Sequence, residues 1–222
     1  MSHRCLWLVP WLLAAACAPS LPRPYLEARA AAERAYTSGR YDEAAKHWRQ
    51  AARCAERPRN RDEALYRVAA SLDQAGRYPE AKTAYDKLLA VGPHSGRAAR
   101  ASYDLAVIEI EHGDRAKGYR MLEKVMVDYP RSGLATSALH RTLIHDDREG
   151  GPTAVLAELD RLIAKLDRSE LSEQLHFAYA TYLDQSGRVR AARDRYLYVA
   201  KRFPYPYGAL WDDALFEASV DD

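Results

Sequence analysis

The chain has 222 residues, and its 33 Lys and Arg against 31 Asp and Glu leave a formal net charge of +2, which excludes the large basic surplus of a polyanion-binding protein. Hydrophobic residues reach 48%, too many for compositional disorder, and eleven Gly with eleven Pro exclude collagen-like and Pro-rich sequences. Three Cys are too few for a disulfide scaffold or a zinc ribbon, while fifteen Tyr against three Phe requires an account.

The chain opens Met1-Ser2-His3-Arg4 and continues as an unbroken apolar run from Cys5 to Ala16. A membrane-spanning helix needs about 20 apolar residues, so this run is too short to span. One cation ahead of a short apolar core matches an export signal. Leu13-Ala14-Ala15-Ala16-Cys17 resembles the lipobox of bacterial lipoproteins, although that family favours Leu where Ala14 stands. The resemblance implies cleavage between Ala16 and Cys17 and lipidation of Cys17. The alternatives are ordinary secretion with cleavage nearby, or a cytosolic chain with an apolar start. Ala18 after the Cys, rather than Asp, goes in such lipoproteins with the periplasmic face of the outer membrane of a diderm bacterium. Residues Ala18 to Pro24 include three Pro and are expected to stay extended as a tether outside any helix. Cys54 is then the remaining thiol, and its helical apolar surroundings predict a buried, inert side chain.

Past the tether, amphipathic patterning predicts helices over residues 25–38, 41–56, 62–75, 78–91, 96–112, 114–129, 133–146, 152–166, 170–186 and 188–203. Gly39, Gly76, Gly113, Gly150 and Gly187 stand 37 residues apart and divide these helices into five pairs. Each Gly is expected to close a first helix as a left-handed residue. Seven residues before each Gly come Ala32, Ala69, Ala106, Leu143 and Ala180; five after come Ala44, Ala81, Gly118, Val155 and Ala192. Small residues at these places let paired helices approach. Nine after the Gly come Trp48, Tyr85, Leu122, Leu159 and Tyr196, and twelve after come Ala51, Leu88, Val125, Leu162 and Val199, as large knobs and core residues. Pro93, Pro130 and Pro204 stop second helices seventeen after the Gly; Glu56 and Asp167 take that place in repeats one and four. Ser95 and Ser132 are expected as N-caps of the helices that follow. A last helix over 209–219, with Leu210, Ala214, Ala218, Trp211 and Leu215 as its apolar stripe, is read as a cap on the final repeat, the alternative being a docking helix for a partner.

Gly39-Arg40-Tyr41-Asp42-Glu43-Ala44 and Gly76-Arg77-Tyr78-Pro79-Glu80-Ala81 resemble the turn of the tetratricopeptide repeat (TPR). The likeness covers about residues 25–204 and is weakest in the fourth repeat, where Gly150-Gly151-Pro152 replaces the usual turn. It implies an all-α fold: a right-handed α-solenoid of about five TPR helix pairs with a capping helix. The organisation read from the chain is a signal over 1–16, a lipidated Cys and tether over 17–24, repeats over 25–207 (25–61, 62–98, 99–135, 136–168 and 169–207), and a capping helix and tail over 208–222. The Tyr-Pro-x-Ser style of loop, as in Tyr129-Pro130-Arg131-Ser132, is similar to TPR proteins of the bacterial envelope of the BamD and CpoB type.

No catalytic constellation is legible. Gly150-Gly151 lacks the Lys and Ser/Thr of a phosphate loop, and neither His-Glu-x-x-His nor Cys-x-x-Cys occurs. His140 and His145 sit five residues apart, a poor spacing for one helix face, so no metal or cofactor is expected. The arginines at 53, 57, 59 and 61, and those at 188, 190, 193 and 195, mix with acids and read as solvated surface.

The TPR resemblance implies that first helices line a concave groove, with the tenth residue before each turn Gly facing it: Arg29, Tyr66, Tyr103, His140 and Phe177, flanked by Tyr36, Asp73 and Asp184. Aromatics along a groove suit an extended segment or a partner helix; alternatively these rings pack on neighbouring repeats. The Tyr excess is assigned to packing places (Tyr41, Tyr78, Tyr85 and Tyr196) and to loop starts (Tyr129, Tyr205 and Tyr207), as partly buried rings. The expected function is a non-catalytic envelope adaptor that binds protein partners in outer-membrane protein assembly or in cell-wall and division machinery, with membrane contact through the lipid alone and no nucleic acid. The alternative is a ligand- or glycan-binding module that positions a cell-wall enzyme. No feature of the sequence sets an oligomeric state.

Overall fold

A computed structural model describes residues 21–220. The signal run, Ala16 and Cys17 lie outside them. The described residues form ten helices and no strand: α1 (Arg23–Thr37), α2 (Tyr41–Cys54), α3 (Pro58–Gln74), α4 (Tyr78–Val91), α5 (Ala98–His112), α6 (Arg115–Asp128), α7 (Gly133–Leu166), α8 (Ser172–Gln185), α9 (Val189–Arg202) and α10 (Trp211–Val220). Each packs mainly on its neighbours in the sequence, from α1 on α2 to α9 on α10. This is the nearest-neighbour architecture of an α-solenoid.

The predicted columns form the core. Ala32, Ala69, Ala106, Leu143 and Ala180 are all buried, as are Trp48, Tyr85, Leu122, Leu159 and Tyr196. Each large side chain buried in this way contributes about 1.5–3 kcal/mol. The core changes character along the rod. The N-terminal cluster is rich in Ala, with aromatic Tyr25, Trp48, Tyr66 and Tyr85 among its large members, whereas the middle cluster is built on Leu, including Leu122, Leu139, Leu159 and Leu162. Gly118 marks a close approach between two helices. A Cβ there would lie 2.4 Å from Ile110 Cγ1 and 2.9 Å from the Ala106 carbonyl oxygen, so α5 and α6 approach as closely as they do only because that carbon is missing.

The turn glycines divide into two kinds. Gly39, Gly76 and Gly187 have φ of 73°, 72° and 73°, as expected of left-handed residues. Around Gly39 the amide of Arg40 donates to the Ala35 carbonyl at 2.9 Å, and Arg77 and Arg188 repeat that bond to Leu72 and Leu183. The other two differ from expectation. Gly113 is not left-handed; there the carboxylate of Glu109 occupies the space a Cβ would need. Gly150 continues its helix, and the left-handed residue of the fourth repeat is Gly151, with φ of 67°. Gly151 and Pro152 break α7 into two arms that match the predicted helices 133–146 and 152–166, the first arm running on to Gly150.

Several boundaries move for local reasons. Pro24 and Pro58 enter first turns, where a missing N–H costs nothing, so α1 begins inside the expected tether and α3 begins ahead of 62. Ser132 caps α7 by accepting from the Leu134 amide at 3.2 Å. Ser95 is not the cap of α5; it sits two residues before the Arg97 cap and accepts from the Arg97 amide at 3.3 Å. Cys54 is half-buried rather than buried. Tyr205 and Tyr207 are 75% and 89% exposed, so this loop does not absorb its rings. α10 covers α9 with Ala214 and Ala218, while Leu215, of the predicted stripe, stays exposed with Phe216 and Val220.

Candidate functional site

Two clefts lie along the face made by the first helices. The N-terminal cleft, about 800 Å³, is bounded by α1, α3 and the loop before α5. Three of its arginines are paired internally, while Arg59 lines it without an ion pair among the described residues. Arg29 pairs with Glu33 at 2.8 Å, Arg67 pairs with Glu63 at 2.9 Å, and Arg97 also bonds Glu63. Burial works against the Glu63 charge, but hydrogen bonds from Arg67 and Arg97 outweigh it and hold the carboxyl below its ordinary range.

The central cleft, about 770 Å³, lies between α5, α6 and the first arm of α7. Tyr103, Ile110 and Ile144 supply its apolar surface. Arg141 pairs with Glu111 at 2.6 Å, and His145 stacks on Tyr119 with ring centroids 4.0 Å apart. Arg115 and Arg148 line the cleft without an ion pair among the described residues. His140 and His145 both line it although they fall on different helix faces: His145 turns toward α6, and the cleft is wide enough to take in both.

The expected groove column is therefore interrupted. Arg29 lines the N-terminal cleft, and Tyr103 and His140 line the central one. Tyr66 is only 8% exposed, and its hydroxyl donates to Asp104 Oδ2 at 2.9 Å. Tyr85 reaches the same oxygen at 3.5 Å, and the Arg97 guanidinium lies 5.2 Å from the Tyr66 ring centre. This cluster separates the clefts. Burial raises the Asp104 carboxyl above its ordinary range despite the Tyr66 hydrogen bond, and burial with the nearby Asp104 charge raises Asp73. Phe177 packs edge-on against Tyr196 at 5.3 Å, half-buried against the C-terminal core cluster, and lines neither cleft. Of the flanking positions, Tyr36 lines the N-terminal cleft and Asp184 is exposed.

Two charged centres escaped the sequence reading. Glu109, buried on α5, accepts from Lys82 of α4 and Lys117 of α6, each at 2.7 Å. Its only trace in the sequence is a carboxylate between Ile108 and Ile110. The second centre surrounds Asp167, the residue that replaces Pro in the fourth repeat. Arg202 donates to both its carboxylate oxygens, at 2.8 and 3.0 Å, and buried His176 bonds it at 2.7 Å. The Arg202 and His176 hydrogen bonds hold the Asp167 carboxyl at about 2. Burial lowers His176, against the pull of Asp167. Both centres tie repeats together. Among the described residues no group of three or more His, Cys, Asp or Glu could hold a metal ion.

No curated protein matches the chain. Among solved structures, a fragment of MamA from Desulfovibrio magneticus RS-1 is similar, with 18% identity over 82% of this chain and 96% of that one and a TM-score of 0.49. The TPR2AB-domain:pHSP90-complex of yeast Sti1 is similar at 12% identity over 88% and 98%, with a TM-score of 0.45. A thermophilic TPR protein of Thermus thermophilus shares 18% identity over 89% and 98%, with a TM-score of 0.42. Residues 63–95, which span most of α3, all of α4 and the loop to Ser95, match the family model of the tetratricopeptide repeat.

Proposed function

We propose that this chain is a non-catalytic adaptor of the bacterial envelope, lipid-anchored at Cys17 and most simply held at the outer membrane, that captures protein partners on the face of its first helices. The observation that carries the binding role is the central cleft. It combines apolar surface at Tyr103 and Ile144 with arginines at 115 and 148 that have no carboxylate of their own among the described residues. An apolar anchor beside unspent charge is what a short acidic and apolar protein segment requires. The likeness of the loops to BamD- and CpoB-type proteins points to partners in outer-membrane assembly or in cell-wall and division complexes.

Two measurements test the reading. Cys17→Ser is expected to move the protein from the membrane fraction to the soluble fraction, and full membrane retention would refute the anchor. Tyr103→Ala with Arg148→Ala is expected to reduce partner capture about tenfold, equivalent to about 1.4 kcal/mol, with the melting curve preserved. Unchanged capture, with the fold intact, would remove the central cleft from the function.

A further inference from the structure

α10 presents an apolar outer face away from its contact with α9. Ala214, Ala218 and half-buried Trp211 pack on the C-terminal core, and two larger apolar residues point away: Phe216 is 66% exposed and Val220 64%. Asp212 and Asp213 precede Phe216 by one helical turn, and Val220 follows by one, so all four share its side of the helix. No Lys or Arg occurs from Ala209 to the end of the chain. The contact with α9 uses Trp211 and the alanine side. The outward Phe and Val leave an apolar patch edged by carboxylates, the kind of surface that marks an interaction site.

The central cleft is its complement. Tyr103, Ile110 and Ile144 are apolar, and Arg115 and Arg148 stand open beside them. The remaining charged groups there are His140, His145, Arg141 paired with Glu111, and Glu149 within 4.0 Å of His145. The two faces match in both respects, apolar to apolar and carboxylate to guanidinium.

We propose that α10 of one copy docks into the α5–α7 cleft of a second copy, head to tail. This names an occupant for the cleft and so rests on the binding role given to it above. α10 does not occupy its own cleft, because it is packed on α9, with α8 and the second arm of α7 between. Glu173 fixes that placement by accepting the amides of Ala209 and Leu210 at 3.1 and 2.9 Å. The contact joins unlike surfaces, so each added copy leaves one free α10 and one free cleft until the copies close into a ring.

The test uses the full chain in its own cells with photoreactive benzoylphenylalanine in place of Phe216. The expected product has twice the chain mass, with its attachment mapped to residues 103–149 of the second copy. Arg148→Glu on the receiving copy should cut that product at least tenfold, and Asp213→Arg on the donating copy should restore it. Arg148 and Asp213 are both exposed, so circular dichroism of these variants should match the parent. Attachment to a different protein, attachment elsewhere on the second copy, or a yield indifferent to Arg148→Glu would overturn the proposal. The same probe at Tyr103 separates the two readings. If it captures another protein while Phe216 captures no second copy, the cleft keeps its binding role and the self-docking is wrong; if neither position captures anything, both are wrong.

Discussion

The two clefts on the first-helix face are nearly equal in size, about 800 and 770 Å³, and both are lined by arginines. They differ in what those arginines do. In the N-terminal cleft, Arg29, Arg67 and Arg97 are engaged by Glu33 and Glu63 on the same face, and Arg59 alone stays without an ion pair among the described residues. In the central cleft, Arg115 and Arg148 have no such partner among the described residues. An ion pair already closed must be broken before its arginine can serve a ligand, whereas an open guanidinium loses only water. Cleft volume and residue type do not distinguish the two, whereas the share of arginines left open does: Arg59 in the first, Arg115 and Arg148 in the second.

The largest effect that can break this comparison is structural. Gly118→Ala should push α5 and α6 apart at Ile110 and cost about 1–3 kcal/mol, read as a lower denaturation midpoint. Hydrogen exchange should quicken in α5 and α6 and remain unchanged in α1 and α2; a uniform change along the rod would show that the clefts are not independent. Next comes capture. Arg29→Ala with Arg97→Ala should alter partner binding by less than about twofold, against the roughly tenfold loss expected for the central pair. An equal loss at both clefts would mean that internal pairing does not silence the first.

The smallest effect concerns acid. His176 is held below its ordinary range, so its contribution to stability is present at neutral pH and is lost as pH falls through that lowered value. Asp167, at about 2, likewise contributes above the ordinary carboxylate range and loses its contribution as pH falls toward 2. Amides of α8 and α9 should therefore lose exchange protection on going from pH 7 to pH 5, ahead of those in α1 to α4. His176→Gln should flatten that early loss. Equal loss in both regions would place the acid-sensitive group elsewhere.

Much of the fold was legible because its determinants are local. Small residues at Ala32, Ala69 and Ala106 recur on helical spacing, and a chain that alternates them with Trp48, Tyr85 and Leu122 can bury both only as packed helix pairs. Asp167 was visible only as a departure from Pro; that it binds Arg202 of the next repeat, 35 residues away, was not. Gly150 stands on the 37-residue spacing, yet Gly151 takes the left-handed turn, because Pro152 follows it and bars the residue before it from continuing the helix.

The groove column shows where sequence stops. Spacing placed Arg29, Tyr66, Tyr103, His140 and Phe177 at one helix position, and that followed from periodicity alone. Which of them stay open was decided by residues that arrive from elsewhere: Asp104, 38 residues on, draws Tyr66 inward, and Tyr196 covers Phe177. Tyr103, although it packs on the middle core, and exposed His140 remain at the cleft. Helix formation and pairing are near-neighbour properties that local pattern encodes, but exposure depends on the side chain that a neighbouring helix brings against each site, and only the packed molecule supplies it.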